Sequence, residues 1–477
     1  MKLSYLLPEM QWAKKGDKVS LPAPNCILEP EAMRTILLPV LLWPLTGFAQ
    51  DPMSLKDAVR RGLEKNKAVV ASAEAQKAAD SRIAEARSGS LPKVSYSESW
   101  TRSDNPVYVF SSLLTQHQFT EENFQLGPLN RPDFLNNFQS LISADQPLYD
   151  AGQTKHARRS AELARDLTKE DDRRTRLDVI AGVIRAYFDS LLTAEQLKAV
   201  AQTMRSAQAD LQRAETVRAA GMATDADVLS VRVHLAGVKE QQIRSEANLD
   251  VARAALNDAM GLPLDTEHTL TTELAELKLP GGAVGDYETS AISGRPEARQ
   301  LKLVSSLAEN QAASARSGYL PQVGLHAAFE ADRQTFFDKG GANWLISIGL
   351  KWNLFNGYAD KARIEESAAA LRQRAAEQER ANSSIRLQVR RAWADLRGAS
   401  ERIEVSKAAV AEAEESLRIT QNRYETGLSN ITDLLRTETA LLEARTRVLA
   451  AVHDQRIAAA MLELAAGTLT VDSEVLN

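Results

Sequence analysis

The sequence predicts a mainly α-helical protein with a smaller β component, in which one unit of helix, strand pair and long helical hairpin is written twice. Three observations carry this. Hydrophobic residues make up 44% of the 477 residues but aromatics only 5%, an Ala- and Leu-rich balance that suits long packed helices. Residues 86–94 read ARSGSLPKV and residues 315–323 read ARSGYLPQV, agreeing at seven of nine positions at an offset of 229, and such a repeat governs how the rest of the chain is parsed. Period-two segments follow both copies, whereas no stretch beyond residue 50 approaches the ~20 apolar residues of a membrane helix. Any membrane crossing must therefore use strands.

Taken in order, the apolar segment Ile36–Phe48 is broken by Pro39 and Pro44, follows Met33-Arg34 and ends in Gly47-Phe48-Ala49. It reads as a signal peptide over 33–49, cleaved after Ala49, and is too short for an anchor. Residues 1–32 are polar, Pro-rich and aperiodic, an extended or non-native N-terminus ahead of a true start at Met33. The only cysteine, Cys26, lies there without the small-residue lead of a lipid attachment site. A cysteine-free mature chain starting near Gln50 suits an oxidising periplasm, and its 53 Lys/Arg against 59 Asp/Glu, interspersed without a basic block, give no reason to expect nucleic acid.

The first repeat, 50–262, opens with a helix from Leu55 to about Ser88, and the second, 289–467, with one from about Thr289 to Ser317. Each ends at a glycine, and Leu-Pro then forbids continuation, so Pro92 and Pro321 mark helix-to-strand junctions. Strand hairpins follow over 92–147 and 321–354. Val323, Leu325, Ala327 and Phe329, and then Trp344, Ile346, Ile348, Leu350 and Trp352, alternate with smaller or polar residues, and strands of about ten residues cross an outer membrane at a tilt. Val94, Tyr96, Trp100, Phe138 and Ile142 repeat the pattern more weakly. The loop Arg102–Phe134 is over twenty residues longer than its counterpart Ala331–Ala342.

Beyond the strands, QPLYDAG at 146–152 answers WNLFNG at 352–357, and from Ala186 to Gly261 the copies align without a gap at an offset of 206. Helical hairpins are expected over 152–261 and 357–467, turning at Gly221 and Gly427. Their first helices, some 68 residues at 1.5 Å each, reach about 100 Å, which demands bundle or coiled-coil packing. Residues 263–288, with Pro263, Pro280 and Gly281-Gly282, read as a linker outside the helical wall. The tail, 468–477, leaves room for only a small collar. Four strands cannot close a membrane barrel, so their edges must pair with other chains and the protein must oligomerise.

The signal peptide, the doubled SG-x-LP-x-V, the two strand ends and the tips G-[ML]-x-x-x-x-D-[VL]-L resemble the TolC-like outer-membrane efflux family over about residues 53–467. The resemblance implies a homotrimer whose twelve strands form one transmembrane β-barrel among outer-membrane lipid, continued by an α-helical barrel through the periplasm. It also implies a periplasmic adaptor, an inner-membrane transporter of RND or ABC type, and a role in efflux of drugs or metals or in type I secretion. The long loop, NPVYVFSSLLTQHQFTEENF, looks like a subgroup of the family and belongs at the extracellular mouth, covering the rim.

The same resemblance makes the hairpin tips the periplasmic aperture, with Asp433 in a lumenal ring and Asp227 tied to Tyr424 to hold neighbouring hairpins closed. Local chemistry offers a second role, because Asn430 and Thr224 each stand three residues earlier, the spacing of an N-cap. Arg436 stands where some relatives have a second Asp, and Ser429 where a basic residue is common, implying a less cation-selective, less firmly closed aperture. No nucleophile elbow, P-loop, dinucleotide fingerprint or metal spacing occurs, so no catalytic residue, cofactor or metal is expected, and His117, His156, His234, His268, His326 and His453 read as surface residues. A soluble periplasmic coiled-coil adaptor or scaffold accounts for the helices and signal peptide but not for apolar strands placed equivalently in both copies.

Overall fold

A computed structural model describes residues 51–278 and 281–476. The expected signal peptide, the N-terminal extension with Cys26, and Pro280 lie outside the described residues.

The described residues begin with strand β1 (Asp51–Met53) and helices α1 (Leu55–Lys65) and α2 (Lys67–Ser88). The single helix expected from Leu55 to Ser88 is thus two, because Asn66 leaves the helix and its Oδ1 accepts from Ala68 N at 2.8 Å as the N-cap of α2. The second copy breaks at the equivalent point. There α7 (Val284–Gly294) starts ahead of the expected Thr289 and gives way to α8 (Pro296–Ser317), since Pro296 lacks an N–H and holds Arg295 extended. At the far ends of α2 and α8, Gly89 and Gly318 are right-handed, so the Leu-Pro pairs, and not a left-handed glycine, stop these helices.

Strands β2 (Lys93–Ser103), β3 (Leu135–Tyr149), β5 (Gln322–Arg333) and β6 (Gly341–Lys351) form one antiparallel sheet in the order β2-β3-β5-β6. Register fixes its faces. Trp100 opposes Phe138, Ile142 opposes Tyr96 and Phe329, and Phe329 opposes Trp344. With Val94, Ile346, Ile348 and Leu350 these side chains share one face. Phe138 is partly buried, and the other nine run from half exposed to largely exposed, the least at 46%. The opposite face carries Ser95, Ser97, Ser99, Gln139, Ser143, Asp145, His326 and Ser347. Among the described residues the outer edges of β2 and β6 have no strand partner.

The β2–β3 connection is folded. Helix α3 (Pro106–Thr115), a 3-10 turn (Glu121–Phe124) and α4 (Leu126–Asn130) lie between the strands. Asn105 caps α3 by accepting from Val107 N and Tyr108 N. Phe119 packs edge-on against Phe110 at 4.8 Å and Phe124 at 5.1 Å, folding the segment back on α3.

The two hairpins obey the 206-residue offset. Helix α5 (Gln153–Ala219) turns into α6 (Asp225–Met260), and α9 (Ala359–Glu425) into α10 (Ile431–Ala466), with 67 and 36 residues in each pair. Their contacts use small residues such as Ala207, Ala214, Ala399 and Ala460, each at most 1% exposed. Helices can therefore approach closely and the wall stays thin. Gly261 and Gly467, both left-handed (φ +72°), end α6 and α10 against the helix breaks: a Cβ on Gly261 would lie 2.7 Å from Lys65 O, and one on Gly467 3.0 Å from Arg295 N.

Residues 263–278 are more than a linker. Strand β4 (His268–Leu270) pairs in parallel with β1, and Leu270 and Leu274 pack on a core of Met53, Leu55, Tyr187, Phe188, Met260, Leu469 and Leu476. Buried Tyr187 donates its hydroxyl to Met53 O at 2.8 Å and accepts from Thr272 N at 3.2 Å. Strand β1, the inter-repeat segment and the tail are thus joined at mid-hairpin.

Candidate functional site

Both hairpin turns are built alike. After Ala219, Gly221 N donates to Arg218 O at 2.8 Å and Met222 N to Val217 O at 3.0 Å, while Gly427 N donates to Tyr424 O and Leu428 N to Arg423 O. These are Schellman closures, which need the left-handed glycines found at both places (φ +79° and +76°). The glycines singled out in the sequence therefore act through backbone geometry.

Asp227 sits in a capping box. Its carboxylate accepts from Thr224 N at 2.9 Å and Thr224 Oγ1 at 2.8 Å, and Thr224 Oγ1 accepts from Asp227 N. Those hydrogen bonds hold its pKa below the usual carboxylate value. Tyr424 packs half-buried with Ala214, Val228, Val231, Ile431 and Leu434. Burial raises the pKa of its hydroxyl, and the carboxylates of Asp227 and Asp210 add to the shift. The structure thus brings Asp227 and Tyr424 into one neighbourhood, though among the described residues no hydrogen bond joins them. At the other tip Asp433 N donates to Asn430 Oδ1 at 2.9 Å, and the Asp433 carboxylate lies 3.4 Å from Ser429 Oγ and 3.5 Å from Arg436 Nη1. That pair is exposed, so solvent weakens it.

Sequence reasoning missed a polar group just above the tips. Asp210 and Arg213 of α5, His234 of α6, Glu425 of α9 and Glu438 of α10 meet where the two hairpins pack. Arg213 Nη1 lies 3.5 Å from Glu425 and 3.7 Å from Asp210. Glu438 is pushed up to about 8, first by burial and then by its hydrogen bond and charge contact with Asp210, with Arg213 opposing. Burial lowers the His234 pKa and outweighs the pull of Asp210. The 3.7 Å approach of His234 Nε2 to Glu438 Oε2 is therefore one between neutral groups at neutral pH. His234 is not a surface residue, and neither is His453, which bridges Asp189 at 2.7 Å and Asp454 at 3.3 Å between α5 and α10. A signal was present: Asp210 interrupts the buried stripe Met204-Ala207-Ala214, and Glu438 the stripe Ile431-Leu434-Leu441.

Residues 58–262 and 289–468 match the family model described as Outer membrane efflux protein. The chain is 25% identical over 337 residues to the Pyoverdine export outer membrane protein OpmQ of Pseudomonas putida, covering 68% of this chain and 69% of the relative. It is 23% identical over 445 residues to the Proteases secretion protein PrtF of Dickeya chrysanthemi, covering 91% and 92%. Among solved structures, the Campylobacter jejuni CmeC outer membrane channel shares its fold with a TM-score of 0.73 at 15% identity, over 95% of this chain and 96% of that one. A CusC structure gives 0.72 at 17% identity, over 93% and 100%.

Proposed function

The chain belongs to the outer membrane efflux protein family, and from that premise we propose how its parts serve an exit duct. It is an outer-membrane protein that extends into the periplasm and acts as a homotrimer. It works with a periplasmic adaptor and an inner-membrane transporter in efflux or type I secretion. One observation carries the assignment of parts: a four-stranded sheet with one exposed apolar face, one serine-rich face and two open edges. Three such sheets joined edge to edge close a barrel with its apolar face to lipid and its polar face to a lumen. A soluble adaptor or scaffold would leave that apolar face in water.

We read residues 50–262 and 289–467 as the two repeats, joined by 263–288, and the chain as non-catalytic. The relatives' names divide between pyoverdine export and protease secretion, and a serine-lined strand face has no chemistry that would choose between such cargoes. Cargo choice is accordingly placed in the transporter. The tips are read as the periplasmic aperture, with Asp227 and Tyr424 restraining the hairpins and Asp433, partly neutralised by Arg436, setting lumenal charge. Asp227 thus both completes a capping box and serves the aperture, whereas at the other tip Asn430 is the cap and leaves the Asp433 carboxylate to the aperture.

The duct is tested by expressing the protein from Met33, sequencing its mature N-terminus and fractionating the cells. A heat-modifiable trimer in the outer membrane supports it; a soluble periplasmic monomer sinks it. For the aperture, single-channel recordings of Asp433→Asn should show weak cation selectivity falling further. Strong selectivity that survives the substitution would contradict the role given to Asp433.

A further inference from the structure

The folded β2–β3 connection is held to one face of the sheet. At the C-terminal end of α3, Gln116 Nε2 donates to Asn137 Oδ1 at 2.8 Å and to Asn136 O at 3.1 Å, and Asn137 Nδ2 donates to Asp332 Oδ1 at 2.6 Å. Asn343 Nδ2 donates to Thr115 O at 3.1 Å. Gln116, Asn137 and Asp332 are 2%, 6% and 0% exposed. Register assigns Asn137, Asp332 and Asn343 to the serine-rich face, because Gln139 opposes Asp332, Glu330 opposes Asn343, and Asn137 stands two residues from Gln139 on the same side of the strand. These three residues lie near the strand ends farthest from Pro92 and Pro321, and so farthest from the helical hairpins. The latch therefore ties α3 to the lumenal side of the wall at the exit end.

Helix geometry then orients α3. Val109, Ser112 and Gln116 are its buried side, whereas Val107 and Leu114 are 78% and 47% exposed and Ser111 is exposed between them. A stripe at i, i+4 and i+7 is one helix face, here directed away from the wall it is tied to. Twelve strands about 4.8 Å apart and tilted by about 40° enclose a ring about 24 Å across. Three helices of about 10 Å diameter fill such a ring.

We propose that in the trimer the three α3 segments fold into the mouth of the strand barrel and meet at its axis through Val107, Ser111 and Leu114, closing the exit until cargo displaces them. The occupant of each exposed stripe is the same stripe of the neighbouring copies, in continuity with the strand edges that join the protomers. The apolar stripe gives the closed form a reason to persist, and the side-chain latch, made of four hydrogen bonds, acts as its hinge. The inference rests on the trimeric duct and goes beyond it by giving the outer end its own closure.

Two measurements test it in whole cells, using the full chain with Ser143→Cys as a reporter on the lumenal face below the cap. A polymer-linked maleimide too large to enter the periplasm is added from outside. With the cap intact, an open state populated at a tenth or less slows labelling about tenfold or more relative to the Gln116→Ala, Asn137→Ala background. Equal labelling rates in the two backgrounds would overturn the plug. Independently, Val107→Cys or Leu114→Cys in an otherwise native cap should give covalent dimers on mild oxidation of the trimer. Trimers that yield none at either position would also overturn it. A chain that forms no trimer would remove the duct and the plug together, which separates failure of the premise from failure of the inference.

Discussion

A carboxyl group held up to about 8 is protonated at neutral pH, so Glu438 can donate to Asp210 across the seam between α5 and α10. Its folded-state pKa lies above the usual 4.5, so the stabilisation is full below about 4.5 and is lost as pH rises through about 8. Above that point two carboxylates face each other, with Arg213 shared by Asp210 and Glu425, His234 neutral, and Tyr424 beyond. After correction for base-catalysed intrinsic exchange, protection of residues 207–214 and 434–442 should therefore fall between about pH 4.5 and about pH 8 and level off above it. Glu438→Gln, which keeps a neutral donor, should flatten that dependence. Glycines make a second contrast. Gly221→Ala meets open space and bears only the left-handed backbone cost, about 1 kcal/mol. Gly261→Ala would add a contact 2.7 Å from Lys65 O and should cost about 3 kcal/mol, read as a larger fall in trimer melting temperature.

Among the elements, Thr224 separates capping from any part of Asp227 in the aperture. Thr224→Ala removes both bonds of the hydroxyl while keeping the backbone donation to Asp227, and should cost the tip of α6 about 1 kcal/mol, visible as faster exchange of its first turn. If Asp227 also restrains the aperture, Asp227→Ala should raise channel open time more than Thr224→Ala does. The long helices were legible because no proline interrupts either 67-residue run and the 206-residue offset matches their ends. The breaks at Asn66 and Arg295 were not. An Asn in a polar helix carries little signal until its side chain is seen to cap, and Pro296 reads equally as the interior or the first turn of a helix. The β2–β3 helices were missed for another reason: ten residues of α3 held by a side-chain latch leave no long period to read. At the tips, Asp227 and Asp433 stood out because they recur at one offset, whereas Asp210 and Glu438 have no counterpart in the other copy. Their equivalents are Ser416 and Arg232.

For the whole molecule, the two faces of the sheet predict opposite responses to the same charge. Ile346→Lys places an ammonium on the lipid face near mid-strand and should cost about 2–4 kcal/mol of membrane stability. Ser347→Lys, one residue on, enters the lumen and should leave the heat-modifiable trimer in place. Band intensities in outer-membrane fractions would distinguish them. The need for several chains was legible from strand count alone, since four strands leave edges that lipid cannot satisfy. That same pair of open edges, on β2 and β6, also sets the order of events in biogenesis. A lone protomer cannot enter the bilayer without stranding two rows of peptide groups in hydrocarbon, so insertion must wait for encounter with its siblings. Refolding into vesicles should accordingly accelerate more than linearly with protein concentration, and dilution should trap monomers in the aqueous phase with their helices already formed.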